Sequence, residues 1–207
     1  MKVSDYTTDV AALCDVCRRF GDRGWCSATS GNFSTRIDDA HCLITQSGRD
    51  KSRLREDDLM LCSLDGAAVD DSCRPSAETP LHCCLYELDQ AVGAVLHTHS
   101  VASTMLSRNS GNELRIRGFE MQKALAGVTT HEEEVSVKIF ANDQDMQALA
   151  GRVSAAWRAG ELAVPGFLIA GHGLYAWGRT LDEAARHVEG FEFLFECVWQ
   201  ENLARLP

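Results

Sequence analysis

Apolar residues recur along the chain in two rhythms, one helical and one alternating, and the switches between them mark its elements. Leu13, Val16, Cys17 and Phe20 share helical spacing and predict a helix over Val10 to Arg23, stopped by Gly24. Small and polar residues from Ala28 to Ser34 lead into a strand from Phe33 to Ile37, and after the Asp38-Asp39 turn Cys42 to Thr45 reads as its return. Leu59 to Leu64, the Asp65-Gly66 turn and Ala67 to Val69 predict a hairpin. Thr79 as N-cap with Pro80 at the first helical position predicts a helix running to about Leu88. A buried strand follows over Gly93 to Leu96, then a short helix over Val101 to Leu106. Leu114 to Gly118 alternates like a strand, with Phe119 to Lys123 extending from it, and Val135 to Phe140 is another strand. Asn142 is placed to cap a helix reaching about Trp157 and ended by Gly160, and Gly166 to Ala170 reads as a buried strand. Thr180-Leu-Asp-Glu183 is a capping box that opens a long helix. Its broad apolar face, from Ala184 to Trp199, is mostly core, with part available to another subunit.

Composition narrows the class. A chain of 207 residues with 45% hydrophobic and 24% charged residues is expected to form one globular domain over residues 1–207, without repeats or linkers. The net charge of −10 argues against nonspecific nucleic-acid binding, and it means that an anionic substrate must be held by a local cradle. No window approaches a membrane span, and Met1 to Asp5 opens on a polar stretch rather than an apolar signal region. The expected location is therefore the cytoplasm, with the nine cysteines reduced. Cys14-x-x-Cys17 has no second CxxC to complete a metal site and lies in a helical pattern, so it reads as packing, as does Cys83-Cys84.

The candidate chemistry starts at His97 and His99. Residues two apart on a strand face the same way, so the pair offers two imidazoles side by side, half of a zinc-type site. Taken alone, His-x-His also describes two satisfied polar residues at a strand end. His172, set between Gly171 and Gly173 where the backbone can approach closely, is the candidate third ligand. The hydroxyl- and glycine-rich stretches Thr29-Ser30-Gly31-Asn32 and Thr45-Gln46-Ser47-Gly48 each abut a strand and could present backbone N–H groups to an anion, with Lys51 or Arg49 supplying charge. Glu78 stands just before a helix N-terminus, near the metal or simply solvated.

These motifs, in this order and together with Pro75-Ser76-x-Glu78, resemble the class II aldolase/adducin family from about Leu13 to Glu196. The resemblance implies an α/β fold, a central mostly antiparallel sheet flanked by helices, and a homotetramer with active sites near subunit interfaces. It assigns His97, His99 and His172 to one zinc ion per subunit. It assigns Thr29, Ser30, Gly31, Asn32, Thr45, Ser47, Gly48, Lys51 and Ser76 to a small sugar phosphate, with no nucleic-acid or membrane partner. Glu78 matches the carboxylate that aldolases use as ligand and proton shuttle, and is expected here to lie close to substrate. Gln46 stands where relatives often have proline, which is expected to loosen the phosphate loop slightly.

Phe119-Glu-Met-Gln-Lys-Ala124, with the stretches around Trp25, Lys51 and Ser76, is most similar to the family's dehydratase branch, where Glu120 matches the acid/base. The implied chemistry is loss of water from a ketose 1-phosphate, with proton removal at C3, departure of the C4 hydroxyl assisted by Glu120, and a divalent ion stabilising charge on the C2 and C3 oxygens. An aldolase or 4-epimerase acting on another ketose phosphate is the nearest alternative. A non-catalytic adducin-like module would be expected to lack the histidines.

Overall fold

A computed structural model of the chain describes residues 1–205. Helix α1 (Thr7–Asp22) buries Val10, Leu13, Val16, Cys17 and Phe20 in a single stripe, as their spacing predicts. Strands β1 (Asn32–Arg36), β2 (His41–Thr45) and β3 (Leu59–Ser63) follow, then helix α2 (Thr79–Leu88), strand β4 (Ala94–Thr98) and helix α3 (Val101–Asn109). Strands β5 (Glu113–Ile116) and β6 (Val135–Phe140), helix α4 (Met146–Arg158), strands β7 (Gly166–Ile169) and β8 (Gly173–Gly178) and helix α5 (Leu181–Ala204) complete the described elements. The strands form one sheet in the order β3-β2-β1-β4-β8-β7-β6-β5, and every neighbouring pair is antiparallel except β6 with β7. The α/β arrangement of a mostly antiparallel sheet flanked by helices is therefore present.

Both faces of the sheet are covered, and alternation along the strands divides the core in two. Leu43, Leu96, Leu174 and Ala176 point to the layer built by α1 and α5, where Phe191, Leu194 and Phe195 are fully buried. Cys42, Ile44, Val95, Tyr175 and Trp177 point to the opposite layer, under α2 and α4. The nine cysteines are free thiols, and the paired positions of Cys14-x-x-Cys17 and Cys83-Cys84 are buried packing residues.

Four local expectations shift. The strand expected to return from Leu64 reduces to a single bridge between Cys62 and Ala68 at the sheet edge. Phe119 to Lys123 does not extend β5. Gly118 turns the chain at φ 90°, and Glu120–Ala124 closes into a 3₁₀ turn held by the Gln122 side chain, which accepts from Phe119 N–H at 3.0 Å. Helix α4 is capped by Asp145, whose carboxylate accepts from Ala148 N–H at 3.0 Å, rather than by Asn142. Helix α2 starts one residue earlier than expected, with Glu78 at the N-cap position and Pro80 second.

Gly173 shows why β4 and β8 can pair so closely beside the histidines. A Cβ there would lie 2.0 Å from the Thr98 carbonyl oxygen, inside the ladder itself. Gly173→Ala is expected to destabilise the chain by about 3 kcal/mol or more, because backbone on both strands would have to move. Denaturant unfolding measures this, and a variant within about 1 kcal/mol of the parent would contradict the geometry.

Candidate metal centre

Strand β4 delivers His97 and the residue just beyond its end, His99, to one side of the sheet. Packing from behind fixes both. Thr98, between them, donates to Glu192 Oε1 of α5 at 2.6 Å, and His99 N–H donates to the Trp25 carbonyl at 2.7 Å. His97 is fully buried and stacks on Tyr175, its register partner on β8, with ring centroids 4.0 Å apart. Its Nδ1–H donates to the Leu174 carbonyl at 2.8 Å, which leaves Nε2 with a free lone pair. His172 sits in the tight turn between β7 and β8. Thr104 of α3 holds that turn by donating to the His172 carbonyl at 2.9 Å, and Ser107 accepts from Gly171 N–H at 3.0 Å.

Glu78, at the start of α2, enters the same space. Its Oε1 lies 3.3 Å from His97 Nε2 and 3.1 Å from His172 Nε2. One ligand atom from each of Glu78, His97, His99 and His172 lies within 4.8 Å of the other three. Glu78, expected close to substrate and near the metal or simply solvated, stands within the cluster, because the start of α2 places it there.

The donor set fits a divalent ion of borderline softness. Three imidazoles and one carboxylate oxygen are typical zinc ligands, and at the centre of the group Glu78 Oε1 and His99 Nε2 are buried without a hydrogen bond. Burial, followed by the neighbouring His97, pushes His99 down to about 3, so its ring is neutral and able to coordinate. Burial opposes charge on Glu78, yet His97 and His172 outweigh it and hold the carboxyl well below the usual range.

An open cleft of about 420 Å³ reaches His99 and His172, with Ser27, Ser30, Thr104 and Asn142 on its walls. From the sequence Thr104 has no assigned role and Asn142 only that of a helix cap, since neither stands in a recognisable site motif. The two hydroxyl-rich loops do converge. Ala28 and Thr29 adopt left-handed backbone at φ 53° and 67°, and Gly31 follows at φ 76° with the His97 carbonyl 2.6 Å from where its Cβ would be. Lys51, 1% exposed, clamps the loops together by donating to the Thr29 carbonyl at 3.0 Å and the Arg49 carbonyl at 2.8 Å. Burial lowers its pKa, and among the described residues no carboxylate touches it. Arg49 turns outward to Asp58, 3.4 Å away.

The other residues expected to hold substrate make these contacts within the chain. Asn32 is buried and donates to Glu78 Oε2 at 2.5 Å. Thr45 is buried and accepts from Phe33 N–H at 3.3 Å, an internal tie between loop and strand. Ser76 accepts from Glu78 N–H at 3.3 Å, Ser47 N–H donates to the Arg74 carbonyl at 3.0 Å, and Gly48 turns at φ 75°. Ser30 Oγ is buried without a partner. Gln46 is tied into its loop: its amide donates to the Asp57 carbonyl at 2.8 Å and its Oε1 accepts from Arg74 N–H at 3.4 Å. Glu120 is not brought to the cluster within the chain. It lies on the exposed 3₁₀ turn, 2.5 Å from Lys123 Nζ and 3.3 Å from His131 Nδ1.

The chain that gathers three histidines and a glutamate at one end of this sheet belongs to the class II aldolase/adducin family. The sequence profile of the Class II Aldolase and Adducin N-terminal domain matches residues 11–199. The chain is 52% identical over 195 residues to methylthioribulose-1-phosphate dehydratase of Pectobacterium carotovorum subsp. carotovorum (strain PC1), covering 94% of this chain and 95% of the relative. It is 51% identical over 193 residues to the protein of the same name from Serratia proteamaculans (strain 568), covering 93% and 94%. In three dimensions it resembles the crystal structure of L-fuculose-1-phosphate aldolase from Thermus thermophilus, with a TM-score of 0.77, 27% identity and coverage of 96% and 97%. Among the described residues no helix is long and apolar enough to cross a membrane.

Proposed function

We propose that the chain is a cytoplasmic zinc-dependent dehydratase converting 5-methylthioribulose 1-phosphate to 5-methylthio-2,3-dioxopentyl phosphate, with one ion per subunit of a homotetramer. The observation that carries this reading is the meeting of Glu78, His97, His99 and His172 near a buried lysine that no carboxylate touches among the described residues. The close relatives' shared name supplies the substrate. The bound metal would supply Lewis-acid stabilisation for charge developing on the substrate's carbonyl oxygen. The loops carrying Thr29, Ser30, Gly31 and Ser47, Gly48 orient the phosphate, with Ser76 at their edge. Glu120 moves the proton that lets the C4 hydroxyl leave as water. Since Glu120 stands outside its own chain's cluster, it serves the site of a neighbouring subunit.

A buried unpaired ammonium is costly, and a substrate phosphate offsets that cost. Lys51→Met is expected to raise KM for the phosphorylated substrate roughly 10–100-fold, the loss of a charge-assisted hydrogen bond of about 1.5–3 kcal/mol. Steady-state kinetics tests it, and an unchanged KM would remove Lys51 from phosphate binding. The function itself is tested with purified, metal-quantified protein and methylthioribulose 1-phosphate. Formation of the dioxo phosphate with loss of water supports the proposal, whereas carbon–carbon cleavage to a glycolaldehyde-type fragment would make the protein an aldolase.

A further inference from the structure

Between α2 and β1, behind the metal cluster, runs a row of buried and half-buried polar side chains. Glu78, His82 and Tyr86 recur every fourth residue on α2, and Asn32, Ser34 and Arg36 every second residue on β1. Four helical residues rise ~6.0 Å and two strand residues ~6.6 Å, so the rows stay in step. Asn32 Nδ2 donates to Glu78 Oε2 at 2.5 Å, and Asn32 Oδ1 meets His82 Nε2. His82 Nδ1 lies 2.7 Å from Ser34 Oγ, which lies 2.7 Å from the Tyr86 hydroxyl. Arg36 closes the row by donating to the Tyr86 carbonyl at 2.7 Å, with its guanidinium 4.7 Å from the centre of the Tyr86 ring.

The direction of each bond follows from its neighbours. An amide oxygen only accepts, so His82 Nε2 carries the proton. His82 is fully buried, and burial, followed by the proximity of His97, pushes it down to about 3, so it is neutral and Nδ1 accepts from Ser34 O–H. Ser34 in turn accepts from Tyr86. With every member committed, Asn32 cannot flip: reversal would set its oxygen against the Glu78 carboxylate and its NH₂ against His82 N–H.

We infer that His82 is a positioning residue for the metal site: through Asn32 it locks one oxygen of Glu78, so that the other faces His97 and His172. This rests on reading the cluster as a metal centre. It also gives Asn32 a different task from the substrate contact expected from the sequence. His82 itself lines no part of the cleft over His99 and His172.

The test uses Co²⁺ as the probe, with visible absorption, chelator competition and steady-state kinetics on the full chain. His82→Leu removes the donor to Asn32, and it is expected to shift the Co²⁺ bands, weaken Co²⁺ binding about 10–100-fold and lower kcat with KM little changed. His82→Gln, whose amide can still donate from the Nε2 position, is expected to recover most of each loss. Wild-type spectrum and affinity in His82→Leu, or His82→Gln as impaired as His82→Leu, would overturn the inference. If His82→Leu is insoluble, Asn32→Leu reads the same link by removing the donor to Glu78 Oε2, and an unchanged Co²⁺ spectrum there would overturn it too. Failure of the parent protein to bind Co²⁺ at all would instead overturn the metal-centre reading.

Discussion

Glu120→Gln is expected to lose dehydratase activity by about 10²–10⁴-fold, the range contributed by a positioned acid/base, while keeping its metal and its assembly. The substitution preserves shape and removes only the ability to give and take a proton. It is also structurally mild. Glu120 is exposed on a 3₁₀ turn, and its partners Lys123 and His131, which lower its pKa in that order, are exposed as well. Surface pairs of this kind contribute little to stability. Turnover of methylthioribulose 1-phosphate, metal content and sedimentation together check the expectation, and normal turnover would sink the assignment. Mixing this variant with one lacking a metal ligand adds a further check. Recovery of turnover in the mixed oligomers is expected, because an intact Glu120 from one chain can then serve an intact cluster in another. No recovery would place Glu120 and the histidines in the same chain's site.

His99→Ala is the second large effect, with metal affinity falling by more than about 100-fold and activity falling with it. The floor is set by the loss seen when a residue merely supporting a ligand is removed, and here a ligand itself goes. His99 is cleaner to remove than His97. His97 has a hydrogen bond to the Leu174 carbonyl to lose, whereas His99 Nε2 is buried with no protein partner. The metal-free variant should therefore unfold close to where the metal-free parent does, while added divalent ion raises the melting temperature of the parent only. Stoichiometric metal in His99→Ala at full activity would refute the site.

Much of this protein is legible along the chain because its cause is local. The α1 stripe, the Val135–Phe140 strand and the Thr180 cap of α5 match the structure, each set by periodicity or by a side chain bonding within a few residues. The His97/His99 pair is equally local, since strand geometry alone puts both rings on one side. Where two local signals compete, the reading slips. Asn142 and Asp145 are both acceptable caps, and the carboxylate that reaches the free N–H groups wins.

Side-chain periodicity and donor chemistry are properties of the chain alone, and they set the alternating core, the order of helices and strands, and the types of residue available for metal and phosphate chemistry. Which of those residues meet was settled in three dimensions. Folding brought Glu78 into the cluster from the start of a helix distant in sequence, turned Asn32 and Thr45 to internal hydrogen bonds, and left Glu120 at the surface. It also made Lys51 a buried clamp and put His82 behind Glu78. The physical reason is that a hydrogen bond or a ligand distance depends on the relative placement of whole elements. That placement is fixed by side-chain hydrogen bonds between α2 and β1 and by the pairing of β4 with β8, to which residues far apart in the chain contribute jointly.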